Sequence, residues 1–383
     1  MSARGTTAIE RALAERDATA FVHVGGRRDP DFRYLSGLSR LDERSAYVQT
    51  AAGERLLCPA AGDEDIAEAA FDGRVRPASE FDAGAPGERA AELLGERDVA
   101  GDGETVLVTP TVPHATAVYL ERAGISVAST DALERARAVK DEDEVARVRA
   151  VQEAATAGVA RAERLLAESD VGADGLVHEN DAVTTGWLVR QVDAALAEAG
   201  VSGAENTLVA TGTDAATPRL ADDKRVQTGE TVLVDVAPRG PEGYHGRLAR
   251  TFVVESEGGW DRRAHLAVTR AREAGLDEVA AGTAANVVHT ETAAEVMAYG
   301  FDVGPDAPNG FSGTAGYGIG LDTREAPSLA TNDELAAGHV IALAPEVLDP
   351  KRGGIRVADT VLVTADGYEV LADYPTSITP TTD

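Results

Sequence analysis

The chain has 383 residues, 43% of them hydrophobic and only 4% aromatic, with 65 acidic against 36 basic side chains and a formal net charge of -29. That length accommodates two domains with separate cores, while the acid excess argues against phosphate contacts to nucleic acid, and no run approaches the roughly 18 apolar residues of a membrane span. Only Lys140, Lys224 and Lys351 are lysines. An acidic chain almost without lysine fits a high-salt cytoplasm, where salt screens self-repulsion, whereas codon bias toward Arg, Ala and Gly leaves the Asp and Glu excess unexplained.

The first 17 residues are charged throughout and lack the apolar core of a signal peptide, so a cytoplasmic location is expected. Phe21 to Val24 reads as a strand. Ser45 to Thr50 and Arg55 to Pro59 flank Ala51-Ala52-Gly53-Glu54, which reads as a hairpin. Cys58 is the single cysteine and has no disulfide partner within the chain, which suits a reducing compartment. Thr105 to Thr109 is rich in β-formers, His114 to Ala123 is helical up to Gly124, and Ile125 to Ala128 is the next strand. This alternation predicts an α/β layer over residues 1–136.

From residue 137 the pattern changes. Asp141 to Glu168 is an amphipathic helix with Val145, Val148, Ala155 and Val159 near helical spacing, and Asp141 or Asp143 as a cap. Further helices are predicted at Thr184 to Ala199, Asp261 to Ala281 and Thr290 to Tyr299. Strands are predicted at Thr207 to Ala210, Thr231 to Ala237, Leu248 to Glu255, His339 to Leu343 and Ile355 to Val363.

Several strings stand out. Val234-Asp235-Val236 ends a strand, and Tyr244-His245-Gly246-Arg247-Leu248-Ala249-Arg250-Thr251-Phe252 follows. Gly316-Tyr317-Gly318-Ile319-Gly320 and Arg324-Glu325-Ala326-Pro327 lie downstream, then Gly354-Ile355-Arg356-Val357-Ala358-Asp359. In this order and spacing they resemble the signature of the pita-bread family, which includes methionine aminopeptidase, aminopeptidase P, prolidase and creatinase. Phe32-Arg33-Tyr34-Leu35-Ser36-Gly37-Leu38 resembles a segment of the N-terminal domain of creatinase and aminopeptidase P; by itself it also reads as a strand-to-turn junction. The resemblance implies an α+β chain: a creatinase-type α/β domain over 1–136, then a pita-bread domain over 137–383. It also implies a homodimer.

Peptidases of this family hold two divalent metals, such as Mn, Co or Zn, with two Asp, one His and two Glu. By resemblance these ligands fall on Asp235, Arg247, Tyr317, Ala344 and Ala358, of which only Asp235 is a metal ligand of the family type. Paired metals need several carboxylates to neutralise and bridge them. A guanidinium about 4–5 Å from a dication repels it by about 7–8 kcal/mol at an effective dielectric near 20. Two histidines that handle substrate in the peptidases align with Arg219 and Arg324. Creatinase works without metal and uses the first of these as its acid/base, a role that permanently protonated Arg219 does not fill.

A replacement pocket would draw on Arg219, His245, Arg324, Glu325 and Glu346. His245 lies two residues before Arg247, and Glu346 two after Ala344, so each would share a strand face with its neighbour. Three readings follow. The first is a homologue without catalysis or cofactor, binding a small anionic ligand or a peptide, as histone-chaperone domains of this fold do. The second is a metal-independent hydrolase of a small amide or guanidino compound. The third is an active proline-directed metallo-aminopeptidase or dipeptidase. An ion pair between Asp235 and Arg247 is expected under the first.

Overall fold

The computed structural model describes residues 3–97, 99, 103–307 and 309–382. The chain divides into two compact units, one ending at Arg137 and the other starting at Ala138.

In the first unit a six-stranded mixed sheet runs Arg74–Val75, Arg55–Cys58, Ser45–Thr50, Ala20–Gly25, Thr105–Val108, Ser126–Ser129. Its Val22, Val24, Val48, Leu56 and Val106 pack with Leu93, Leu94 and Leu120 from helices. The segment around Tyr34 is a helix, Pro30–Ser36, and not a strand-to-turn junction. Asp29 caps it by accepting from the Phe32 amide at 2.9 Å, and Gly37 ends it at φ 72°, a left-handed conformation that glycine adopts without strain.

The second unit is built twice over from a helix pair and a sheet. Helices Glu142–Ala167 and Thr185–Glu198 pack on an antiparallel sheet of Thr207–Thr211, Thr231–Val236 and Leu248–Val253. Asp141 caps the first helix, accepting from the Glu144 amide while the Glu144 carboxylate accepts from the Asp141 amide. Tyr244 donates to the other Glu144 oxygen at 2.7 Å, so this tyrosine anchors the helix start. Helices Trp260–Asp277 and Ala285–Ala298 cover the second half. Its five-stranded sheet runs Glu325–Ser328, Gly316–Gly318, Val340–Leu343, Asp359–Val363, Tyr368–Val370, beside a four-stranded sheet that includes Glu346–Asp349 and Gly353–Arg356. The last helix starts five residues before the predicted Thr290.

The predicted strand from Ile355 to Val363 is two strands in two sheets. Gly353–Arg356 pairs with Glu346–Asp349, and Asp359–Val363 pairs with Val340–Leu343. Between them Ala358 exchanges both backbone hydrogen bonds with Ala249, at 3.0 and 3.1 Å. β-Propensity is continuous through this stretch, so pairing alone marks the change of sheet.

The glycines flanking Tyr317 are packing requirements. A Cβ on Gly316 would sit 2.2 Å from the Ala342 carbonyl oxygen, and one on Gly318 would sit 2.1 Å from that of Ala326. Gly318→Ala is expected to cost about 2–3 kcal/mol in denaturant unfolding, the upper range for overpacking, because the clashing atom is backbone. A loss below about 0.5 kcal/mol would show that the strands can part freely.

Candidate functional site

Alternation along Thr231–Val236 orients the site. Val232, Val234 and Val236 pack toward the helices, while Leu233 joins Ala249, Ala344 and Ala358 on the opposite face. Asp235 shares the face of Leu233 and opens into a cavity of about 340 Å³, whose wall includes Arg219, Arg247, Tyr317, Arg324, Ala344, Glu346 and Arg356.

At its centre four charges form a closed set. Arg247 donates to both Asp235 oxygens, from Nε at 3.1 Å and Nη2 at 2.8 Å. Arg356 donates from Nη1 to the same carboxylate at 2.6 Å and from Nε to Glu346 at 2.8 Å, with a second, shorter contact to Glu346. Arg247 also donates to the Tyr317 hydroxyl, and the Arg324 guanidinium lies 4.1 Å from the Tyr317 ring centroid. The carboxylate of Asp235 and both guanidiniums are largely removed from solvent, with side-chain exposures of 5%, 13% and 12%. Burial by itself would raise the Asp235 carboxyl. Arg247 and Arg356 outweigh it, through charge and hydrogen bonds, and hold the group well below the usual carboxylate range. Burial likewise opposes both guanidinium charges, but the facing carboxylates prevail and keep both arginines protonated.

The expected Asp235–Arg247 pair is therefore present. Of the remaining positions that the resemblance assigns to metal ligands, Tyr317 and Ala344 line the cavity. Ala358 is fully buried behind it in the apolar cluster. Arg219, Arg324 and Glu346 reach the cavity wall. His245 and Glu325 do not. The strand starts at Leu248, so the same-face argument does not extend back to His245, which is buried with its amide on the Gly320 carbonyl and Nδ1 3.3 Å from the Ala237 oxygen. Burial pushes its pKa down, which keeps it neutral near pH 7. Glu325 instead accepts from Lys140 at 2.8 Å in a pair exposed by only 3% and 1%. Arg356 appeared in the sequence only as part of a framing motif, yet it is the second cation on Asp235.

A pair of metals does not fit this donor set. The one carboxylate left among the five positions already accepts three guanidinium hydrogen bonds, two positions offer methyl groups, and Arg247 fills the space beside Asp235. Among the described residues one group brings three metal-type ligand atoms within 4.8 Å, and it lies outside this cleft, namely His23, Asp29 and Asp31 in the first unit. Its atoms are committed to the fold: His23 bonds Thr109 and Asp29, Asp29 caps a helix, and Asp31 pairs with Arg137 at 2.5 Å.

Comparison with known proteins agrees with this architecture. The model of metallopeptidase family M24 matches residues 146–365, more than half of the chain, and the protein belongs to that family. It is 30% identical to the Xaa-Pro dipeptidase of Pyrococcus furiosus over 178 residues, 45% of this chain and 49% of that protein. To the probable dipeptidase PepE of Mycobacterium tuberculosis it is 27% identical over 260 residues, 66% of this chain and 63% of the other. The chain thus spans about half the length of the first of these relatives. The fold matches the solved prolidase from Pyrococcus furiosus with a TM-score of 0.80 at 21% identity, covering 96% and 99% of the two chains. Dipeptidase PepE from Mycobacterium ulcerans matches at 0.81 and 24% identity, covering 98% and 97%. Among the described residues no helix is long and apolar enough to cross a membrane.

Proposed function

We propose that this protein is a member of the peptidase family without metallopeptidase activity, one that uses the cleft for binding. The observation that carries the reading is the threefold capture of Asp235 by Arg247 and Arg356. Hydrolysis of an Xaa-Pro bond by two metals requires a hydroxide held between dications and several carboxylates that offset their charge. Here a delocalised cation stands beside the remaining carboxylate, and the charges of Asp235 and Glu346 are already balanced by two guanidiniums. Neutral His245 lies outside the cavity wall, and Arg219 and Arg324 hold their protons, which leaves a metal-independent hydrolase only Asp235 and Glu346 as bases, both already paired with guanidiniums.

The test joins metal content to turnover. After incubation with manganese, cobalt or zinc and desalting, elemental analysis is expected to find well under one metal per chain, and a proline-containing dipeptide is expected to remain uncleaved. Two tightly held equivalents together with hydrolysis would overturn the reading.

A further inference from the structure

The charges of the cavity do not cancel. Its wall carries Asp235 and Glu346 against Arg219, Arg247, Arg324 and Arg356, an excess of two positive charges in a chain whose net charge is -29. Arg247 and Arg356 are matched by the two carboxylates. Arg219 and Arg324 are exposed, and among the described residues neither guanidinium has a carboxylate within 4.0 Å. Arg324 is nevertheless held in place, because its guanidinium carbon sits over the Tyr317 ring, 4.1 Å from the centroid. This cation–π contact takes no carboxylate, so the positive charge of Arg324 remains available to an anion. Tyr317 is itself fixed by the hydrogen bond that its hydroxyl accepts from Arg247. The paired centre therefore serves as a rigid base for an unpaired cation. Arg219 sits in the same wall on the Pro218–Leu220 turn, next to the hydroxyl-bearing Thr217 and to Leu220, which is 82% exposed.

We propose that this cavity is a binding site for a small dianion, a dicarboxylate or a phosphate monoester, held by Arg219 and Arg324. The proposal rests on the reading of the cleft as a binding site free of metals. Two unpaired guanidiniums call for two negative charges, and a monoanion leaves one of them uncompensated. Guanidinium forks match both carboxylate and phosphate oxygens. The volume of about 340 Å³ lies at the small end of ligand pockets and accommodates a small dicarboxylate or phosphate monoester. Long-range repulsion by the acidic chain is confined by salt to distances near the Debye length, about 3 Å at 1 M, so short-range pairing in the cavity persists where steering does not.

Isothermal titration at constant ionic strength in potassium chloride tests this with succinate and malonate in one arm, inorganic phosphate in the second and acetate as the monoanion. Saturable binding is expected in at least one dianion arm, and which arm responds identifies the source of the charge; acetate is expected to bind at least about tenfold more weakly. Arg219→Gln and Arg324→Gln are each expected to weaken the dianion by about tenfold or more, the typical effect of losing one charge-assisted hydrogen-bonding group, and the double variant to abolish binding. Flat titrations in both dianion arms overturn the proposal, as does a dianion affinity unchanged in the double variant. Metal content and dipeptide turnover measured on the same preparation separate the two ideas. A metal-free, inactive protein with flat titrations removes the dianion and leaves the reading of the cleft intact. Dianion binding by a protein that also cleaves dipeptides does the reverse.

Discussion

Arg250→Met is expected to destabilise the protein by at least about 4 kcal/mol, a large share of the 5–15 kcal/mol that holds an ordinary domain together. Arg250 is 1% exposed, and all five of its N–H groups are used. Nε donates to the Pro375 carbonyl, Nη1 to those of Ala249 and Ala358, and Nη2 to Asp359 and the Tyr374 carbonyl, at 2.7–3.0 Å. One side chain thus ties the three-stranded sheet to the five-stranded sheet and to the C-terminal segment. Methionine fills much of the volume but leaves buried acceptors without donors, the costly half of a broken hydrogen bond. Asp359 keeps Arg272 as a partner, which limits the loss. Arg250→Lys is expected to recover little, since three donors on a single nitrogen do not reach acceptors on separate segments. Urea midpoints at matched salt measure both variants; a loss under about 1 kcal/mol for Met, or full recovery by Lys, would contradict this account.

That arginine gives part of the family signature a structural duty separate from the chemistry of the cleft. The Arg-Thr-Phe and Gly-x-Arg-x-x-Asp strings meet in space as the Arg250–Asp359 pair, and the glycines around Tyr317 make room for neighbouring carbonyls. Both jobs are independent of any ligand in the cleft. Of the positions that resemblance assigns to metals, Ala344 and Ala358 lie in a small apolar cluster with Leu233 and Ala249, while Asp235, Arg247 and Tyr317 bond to one another.

What the sequence disclosed follows the same division. The inward aim of Asp235 was legible only through the family resemblance, since the continuous apolar run around it shows no alternation, and the same resemblance placed Arg247 near it. His245 was misjudged because a two-residue rule was extended beyond the start of the strand. The role of Arg356 was hidden for a different reason: its partner Asp235 is 121 residues away, on a strand of another sheet. Arg356 ends the strand just before the chain changes sheets at Ala358, and no local pattern marks that change. The Lys140–Glu325 pair, 185 residues apart, removed Glu325 from the pocket in the same way.

Asp235→Asn is expected to cost about 3–5 kcal/mol near neutral pH, the range for removing one partner from a buried ion pair. The amide keeps the shape of the carboxylate but leaves Arg247 and Arg356 sharing Glu346 as the sole nearby anion, and its NH₂ group faces donors. The pH dependence separates this from a simple packing defect. The carboxyl of Asp235 is depressed in the folded protein below its unfolded value, which is about 3.9. Stability from this group is therefore complete above the unfolded value. It declines as the pH falls below about 4, because the unfolded chain then binds a proton that the folded chain refuses. Other carboxylates titrate in the same window, so the informative quantity is the difference between wild type and variant. That difference is expected to be constant from pH 7 to about 5 and to shrink steadily toward pH 3. Arg247→Met should also destabilise, and the double variant should lose clearly less than the sum of the two single losses, since each change removes the charge that the other leaves stranded. Parallel acid profiles for wild type and Asp235→Asn, or strictly additive losses in the double variant, would show that the pair contributes through packing and not through charge.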